Sequence, residues 1–207
     1  MSTHPGQSVQ SRVFGGTLRW VGEHWVCGLQ GEEEGETARV SLYHTHASPE
    51  GEGVVAYLAG FGGTAVPPVL GVFTDNRALA AWVHDAWGGG RGGPFGQDPP
   101  VFDAHLTRGD RAGNERSWTI QSPGLNLQVL WRAFETPVVS YRGDDPAVYA
   151  QRSLFNVLLF ALKAEIHANG VRVPGAPYTD GRWRPVIGGG DRSSCVVALA
   201  ETFITPA

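Results

Sequence analysis

Between Thr37 and His46 the chain alternates without a break. Ala38, Val40, Leu42, His44 and His46 fall on one side, and Thr37, Arg39, Ser41, Tyr43 and Thr45 on the other. A repeat of two puts successive side chains on opposite faces of a strand. The stretch therefore predicts a strand whose apolar face ends in two histidines. "SPEGEG" follows as a turn and "VVAYLAGF" (54–61) as the return strand of a hairpin. An apolar strand face needs a sheet around it, and the composition agrees. With 29 Gly, 14 Pro and only 17% charged residues, the chain suits strands joined by many turns rather than long surface helices.

The other segments extend that picture. "RVFGGTLRWVG" and "HWVCGLQG" read as two short strands before the hairpin, and "PPVLGVF" as one after it. "VFDAHLTR" (101–108), "ERSWTIQS" (115–122) and "LNLQVLWRAF" (125–134) are joined by "GDRAGN" and "PG", which predicts an antiparallel meander. "SSCVVALAETFIT" reads as a last strand. Two helices interrupt the strands. "TDN" (74–76) offers capping oxygens to a first helix whose Leu79, Trp82, Val83 and Ala86 share a face. A second, longer helix is expected over 146–168, capped by Asp145, with Pro146 in its first turn and "NG" (169–170) at its end. Its middle is apolar nearly all round, so it must be covered on two sides.

The expected fold is α+β and β-dominated: a curved antiparallel sheet or barrel of about nine or ten strands, with one long buried helix and one shorter helix. Residues 1–11 read as a flexible tail and 12–207 as a single β-rich domain.

Several function classes fall away. The net charge is -4 and no cluster of Lys or Arg stands out, which argues against nucleic acid. The longest apolar run, "VLLFAL" (157–162), is far short of the roughly 18 residues of a membrane span. The N-terminus has no apolar signal core, so a cytoplasmic protein is expected. Cys27 and Cys195 are expected as buried thiols rather than a disulfide.

The residues that can carry chemistry begin with His44 and His46. Two imidazoles on one strand face lie about 7 Å apart at the backbone, close enough to chelate one divalent transition metal. Glu50, Glu52, His105 and Glu201 are candidates for a third ligand. The alternative is a pair of ordinary strand histidines. The segment "HTHASPEGEGVVAYLAG" (44–60) resembles, in part, the first metal motif of the cupins: two histidines one apart, a glutamate after a short gap, then a strand ending in glycine. The resemblance implies metal ligation by His44 and His46. Ala38 stands where that motif has a glycine, and Pro99, in "PFGQDP", where the second motif has its ligand.

Glu201 is a candidate general acid or base, provided that its strand face, shared with Cys195, Val197, Leu199 and Phe203, is the inner one. Tyr57, Trp118, Trp131, Phe155 and Leu159 are candidates for an aromatic and apolar ligand-binding wall. They are also what an ordinary core is made of. The first expectation is therefore a binder of an apolar or aromatic small molecule, held between a curved sheet and the helix 146–168. The second is a metal-dependent, cupin-like enzyme built on His44 and His46, with His105 or Glu201 completing the site. The third is a structural homodimer that buries the long helix.

Overall fold

The computed structural model describes residues 16–32, 35–60, 68–87, 98–110, 114–142 and 153–206. The strands are β1 (Gly16–Gln30), β2 (Glu36–Ala47), β3 (Gly53–Gly60), β4 (Val69–Thr74), β5 (Val101–Asp103), β6 (His105–Asp110), β7 (Glu115–Ser122), β8 (Leu125–Phe134), β9 (Val138–Arg142) and β10 (Ser153–Ala168). Four two-residue strands follow, β11 (Val171–Arg172), β12 (Ala176–Pro177), β13 (Thr179–Asp180) and β14 (Arg192–Ser193), and β15 (Val196–Pro206) ends the series. Helix α1 covers Arg77–Trp87, and α2 is a single turn, Arg184–Ile187.

The main sheet runs β5-β4-β3-β2-β1-β15-β10-β8-β7-β6. Its two edges, β5 and β6, are joined in sequence by Ala104 alone, whose N–H donates to the Thr74 carbonyl at 2.9 Å. The sheet thus curls into a nearly closed barrel. All its pairings are antiparallel except β4 with β5.

The expected alternation of β2 holds. Ala38, Val40 and Leu42 enter the barrel core beside Trp25, Cys27 and Leu29 of β1. From the far wall come Trp118 and Ile120 of β7 and Leu127, Val129 and Trp131 of β8. Trp25, Trp118 and Trp131 pack edge to face at centroid distances of 6.1 and 5.3 Å, a favoured aromatic geometry. A second cluster lies outside the barrel, where Leu79, Ala80 and Val83 of α1 cover Val55, Tyr57 and Val72. The Asn76 side chain caps α1 by accepting from the Leu79 N–H at 3.1 Å. The thiols of Cys27 and Cys195 are free, buried and 3.7 Å apart across neighbouring strands.

Two expectations are corrected here. The described parts of "RVFGGTLRWVG" and "HWVCGLQG", from Gly16 to Gln30, belong to one bulged strand, β1, rather than two. More consequentially, residues 153–168 are strand β10 and not part of a long helix. Both faces of its middle, Leu158 to Ala161, are covered: Leu158 and Phe160 pack under Trp183 and Ile187 outside, while Ala161 and Leu159 face the core. A strand covered on both sides reads as a continuous apolar run, which periodicity cannot separate from a buried helix. Its second half alternates visibly, with Ala164, Ile166 and Ala168 buried between Glu165 and His167. Asn169 and Gly170, expected to end a helix, are the two central residues of a hairpin between Ala168 and Val171, at φ 49° and 82°. Positive φ at both positions is what a type I′ turn requires. Asp145, Pro146, the tail at 1–11 and most of the Gly-rich stretch after Trp87 lie outside the described residues.

Candidate metal site at the barrel mouth

The core side chains of β1 and β2 give way to polar ones at one end of the barrel. Glu23 stands directly opposite His44 in the β1–β2 register, and both continue the inward faces of their strands. Directly opposed side chains on one face of an antiparallel pair start about 5 Å apart. His46 follows on the same face. The rings of His44 and His46 lie 4.4 Å apart between centroids, and His44 meets the Trp118 ring edge to face at 5.2 Å. One ligand atom from each of Glu23, His44 and His46 can be chosen so that all lie within 4.8 Å of one another.

Glu23 is held by donors. Trp25 Nε1 donates to its Oε2 at 2.9 Å, and Arg108 Nη1 donates to Oε1 and Oε2 at 2.9 and 3.0 Å. The Arg108 guanidinium also lies over the Trp25 ring, 5.2 Å from its centroid. Burial alone would push the carboxyl up. The His44 contact, the Arg108 charge and the Trp25 and Arg108 hydrogen bonds outweigh it and bring Glu23 down to about 2. Glu23 is therefore a carboxylate throughout the physiological range. His44 Nδ1 is shielded from solvent, has no hydrogen-bond partner among the described residues, and stops 3.7 Å from Glu23 Oε2.

This donor set fits a metal. Two imidazoles and a carboxylate are a zinc ligand set and also the facial triad of non-haem iron. The shielded, unbonded His44 Nδ1 is a ready lone pair or N–H at the cluster. Hydrogen bonds that orient a ligand carboxylate, as Trp25 and Arg108 do here, are usual around metal centres. An open cleft of about 1030 Å³ borders the cluster, lined on its far side by Glu52, Asp75, Arg77, His105 and Thr107. A smaller one, about 380 Å³, lies on the other side of Arg108, also touching Glu23 and His46.

The sequence-derived candidates separate in space. His44 and His46 converge as expected. His105 lines the larger cleft but is not a member of the cluster, and its Nε2 pairs with Thr107 Oγ1 at 3.0 Å. Glu52 lines the same cleft, while Glu50 is exposed in the turn. Glu201 does not join the histidines. Cys195, Val197 and Leu199 do face the core, but Ala200 takes φ 53° at a bulge and turns Glu201 and Phe203 to the outer face. Bulges re-aim side chains in this way. Outside, Glu201 is nonetheless buried. It lies 3.9 Å from His24 Nδ1 and hydrogen-bonds to Asn156, and burial raises it to about 7 against the lowering effect of that bond. His24 in turn pairs through Nε2 with Ser41 Oγ at 2.8 Å and stacks on Tyr43 at 4.1 Å.

The aromatic wall does not assemble either. Trp118 and Trp131 are filled into the core, Tyr57 lies on the opposite face under α1, and Phe155 is partly exposed on β10. Of that set, Trp118 also borders the larger cleft and Leu159 the smaller one. The residues that sequence reasoning missed are Glu23 and Arg108. Splitting β1 in two at Gly22–His24 hid the run Glu23, Trp25, Cys27, Leu29 on one face. Arg108 lay at the end of a strand with no partner readable from sequence.

No family model matches the chain, and a search of curated proteins found no match. No described helix is long and apolar enough to cross a membrane.

Proposed function

We propose that the barrel mouth binds a divalent transition metal through Glu23, His44 and His46 and that the protein is a metal-dependent enzyme acting on a small molecule in the adjoining cleft. The observation that supports this reading is the convergence of those three donors, within 4.8 Å, at the edge of a cleft of about 1030 Å³. Three protein ligands with further positions open to a cleft are the pattern of catalytic rather than structural sites. Such a metal polarises a bound carbonyl or phosphoryl oxygen or lowers the pKa of a bound water. Glu23, ionised well below neutral pH, supplies its carboxylate without first losing a proton.

A pocket between the sheet and a helix over 146–168 is not part of this proposal, because residues 153–168 are a core strand. Calorimetric titration with zinc and with cobalt tests the metal reading. One site per chain is expected for the wild type, and none for the His44→Ala, His46→Ala double variant. Equal binding by the two proteins would overturn the assignment.

A further inference from the structure

The two cysteines of the chain meet although 168 positions separate them in sequence. Cys27 sits on β1, and Cys195 immediately precedes β15. The β1–β15 register pairs His24 with Ala198, Trp25 with Val197 and Val26 with Val196, so its next step sets Cys27 opposite Cys195. Directly opposed residues of antiparallel strands have Cα atoms about 4.5–5.5 Å apart, inside the range that a disulfide spans. Both side chains point into the barrel core, and their Sγ atoms are 3.7 Å apart. Closing to a bond of about 2 Å then takes side-chain rotation rather than a shift of either strand.

The backbone on both sides is pinned. Cys27 is the register partner of Val40 on the other flank of β1. The Cys195 N–H donates to Ser193 Oγ at 3.1 Å, and its carbonyl accepts from the Ala161 N–H at 2.8 Å. Cys195 Sγ also lies 3.5 Å from the Gly28 carbonyl oxygen. The two thiols are not equivalent. Burial pushes Cys27 up, whereas the hydrogen bond with Cys27 holds Cys195 down, so Cys195 ionises the more readily. The thiolate is the nucleophilic form of a cysteine. Four residues of β1, about 13 Å, separate Cys27 from Glu23, so the pair is distinct from the donors at the barrel mouth.

We infer that Cys27 and Cys195 are a redox pair, which hydrogen peroxide converts into a disulfide that staples β1 to β15. The Cys195 thiolate attacks one peroxide oxygen and the O–O bond breaks. Cys195 becomes a sulfenic acid, and the hydroxide released takes up the proton that Cys195 lost and departs as water. Cys27 Sγ then attacks the sulfenic sulfur, the S–O bond breaks, and the hydroxyl leaves as water with the Cys27 proton. The two thiols together lose two electrons, and the peroxide is reduced to two waters. The chain has no third cysteine to compete. Strands β2 to β14 lie between the two residues in sequence, so the bond closes nearly the whole described fold into one loop. Long loops gain most from such closure. The inference does not depend on the metal reading.

The test is to add hydrogen peroxide to the full chain in the presence of a chelator, alkylate free thiols under denaturing conditions, and map the peptides by mass spectrometry. A cross-linked peptide joining Cys27 to Cys195 within one chain is expected, and dithiothreitol should release it. The oxidised protein should melt at least roughly 5 °C above the reduced one. Cys27→Ala, which removes the second thiol, should instead carry sulfinic or sulfonic acid at Cys195 under the same treatment. Two alkylated thiols in the peroxide-treated wild type, or cross-links formed only between chains, would overturn the inference, and that result needs no variant to fold. An oxidised wild type no more stable than the reduced protein would overturn the stapling of β1 to β15.

Discussion

Glu23 and Glu201 lie almost side by side on neighbouring strands, since Gly22 is the register partner of Glu201. Both are largely withdrawn from solvent, and their protonation is opposite. Glu23, inside the barrel mouth, meets Arg108, the Trp25 N–H and His44, and is held down to about 2. Glu201, outside, meets His24 and Asn156 and is raised to about 7 by burial. Burial pushes both carboxyls in the same direction. What differs is the supply of positive charge and N–H donors. A buried carboxylate thus serves as a ready ligand only where the fold also delivers cations to it, and here the barrel interior does so and its outer face does not.

The largest expected effect on stability comes from neutralising the outer member of the pair. Below about pH 4.5 Glu201 is protonated in both the folded and unfolded chains. Between 4.5 and about 7 the unfolded chain releases the proton while the fold keeps it, so stability falls as pH rises, and the loss is complete above 7. Glu201→Gln should therefore match the wild type at pH 4 and exceed it by up to roughly 3 kcal/mol at pH 8. Urea denaturation at the two pH values measures this. A variant less stable at pH 8 would mean that Glu201 is ionised and paired.

The inner member should behave in the reverse sense. Glu23→Ala leaves Arg108 without its carboxylate, at a cost of about 2 kcal/mol, less than for a fully buried pair because Arg108 retains some exposure. Because the folded value of Glu23 is depressed, its contribution is complete above about pH 4.5 and is lost as pH falls toward 2. Urea denaturation extended down to about pH 2 should show the deficit shrinking only at acid pH. A deficit that shrinks toward alkaline pH instead would contradict the ion pair.

The smallest effect concerns the device that separates the two carboxyls. Ala200 takes φ 53°, which a branched side chain adopts only with strain. Ala200→Val should cost about 1–2 kcal/mol and Ala200→Gly nothing, by thermal or chemical denaturation. If valine were accepted freely, the bulge would not be the feature that aims Glu201 outward.

How far each part was legible follows from the same geometry. The β2 alternation was readable because His44, Leu42, Val40 and Ala38 face a core while Arg39 and Thr37 do not. The meander of β7 and β8 was readable from its "PG" turn. β10 was not, because Leu158 and Leu159 are covered on opposite faces and leave no polar stripe, although "KAEIHANG" carried both a two-residue period and a type I′ turn. The face of Glu201 was beyond sequence reasoning: one residue of bulge reverses it, and nothing in "VVALAETF" marks where that residue falls. The third donor of the candidate metal site escaped for a related reason, since Glu23 reaches His44 only through the β1–β2 register.

The central claim is that the inner carboxylate, and not the outer one, completes the histidine pair. Cobalt(II) absorption spectra of wild type, Glu23→Gln and Glu201→Gln, recorded side by side, test it most directly. A ligand-field band that saturates at one cobalt per chain is expected in the wild type and in Glu201→Gln, and is expected to be lost or displaced in Glu23→Gln. A spectrum unchanged by Glu23→Gln, or abolished by Glu201→Gln, would contradict it.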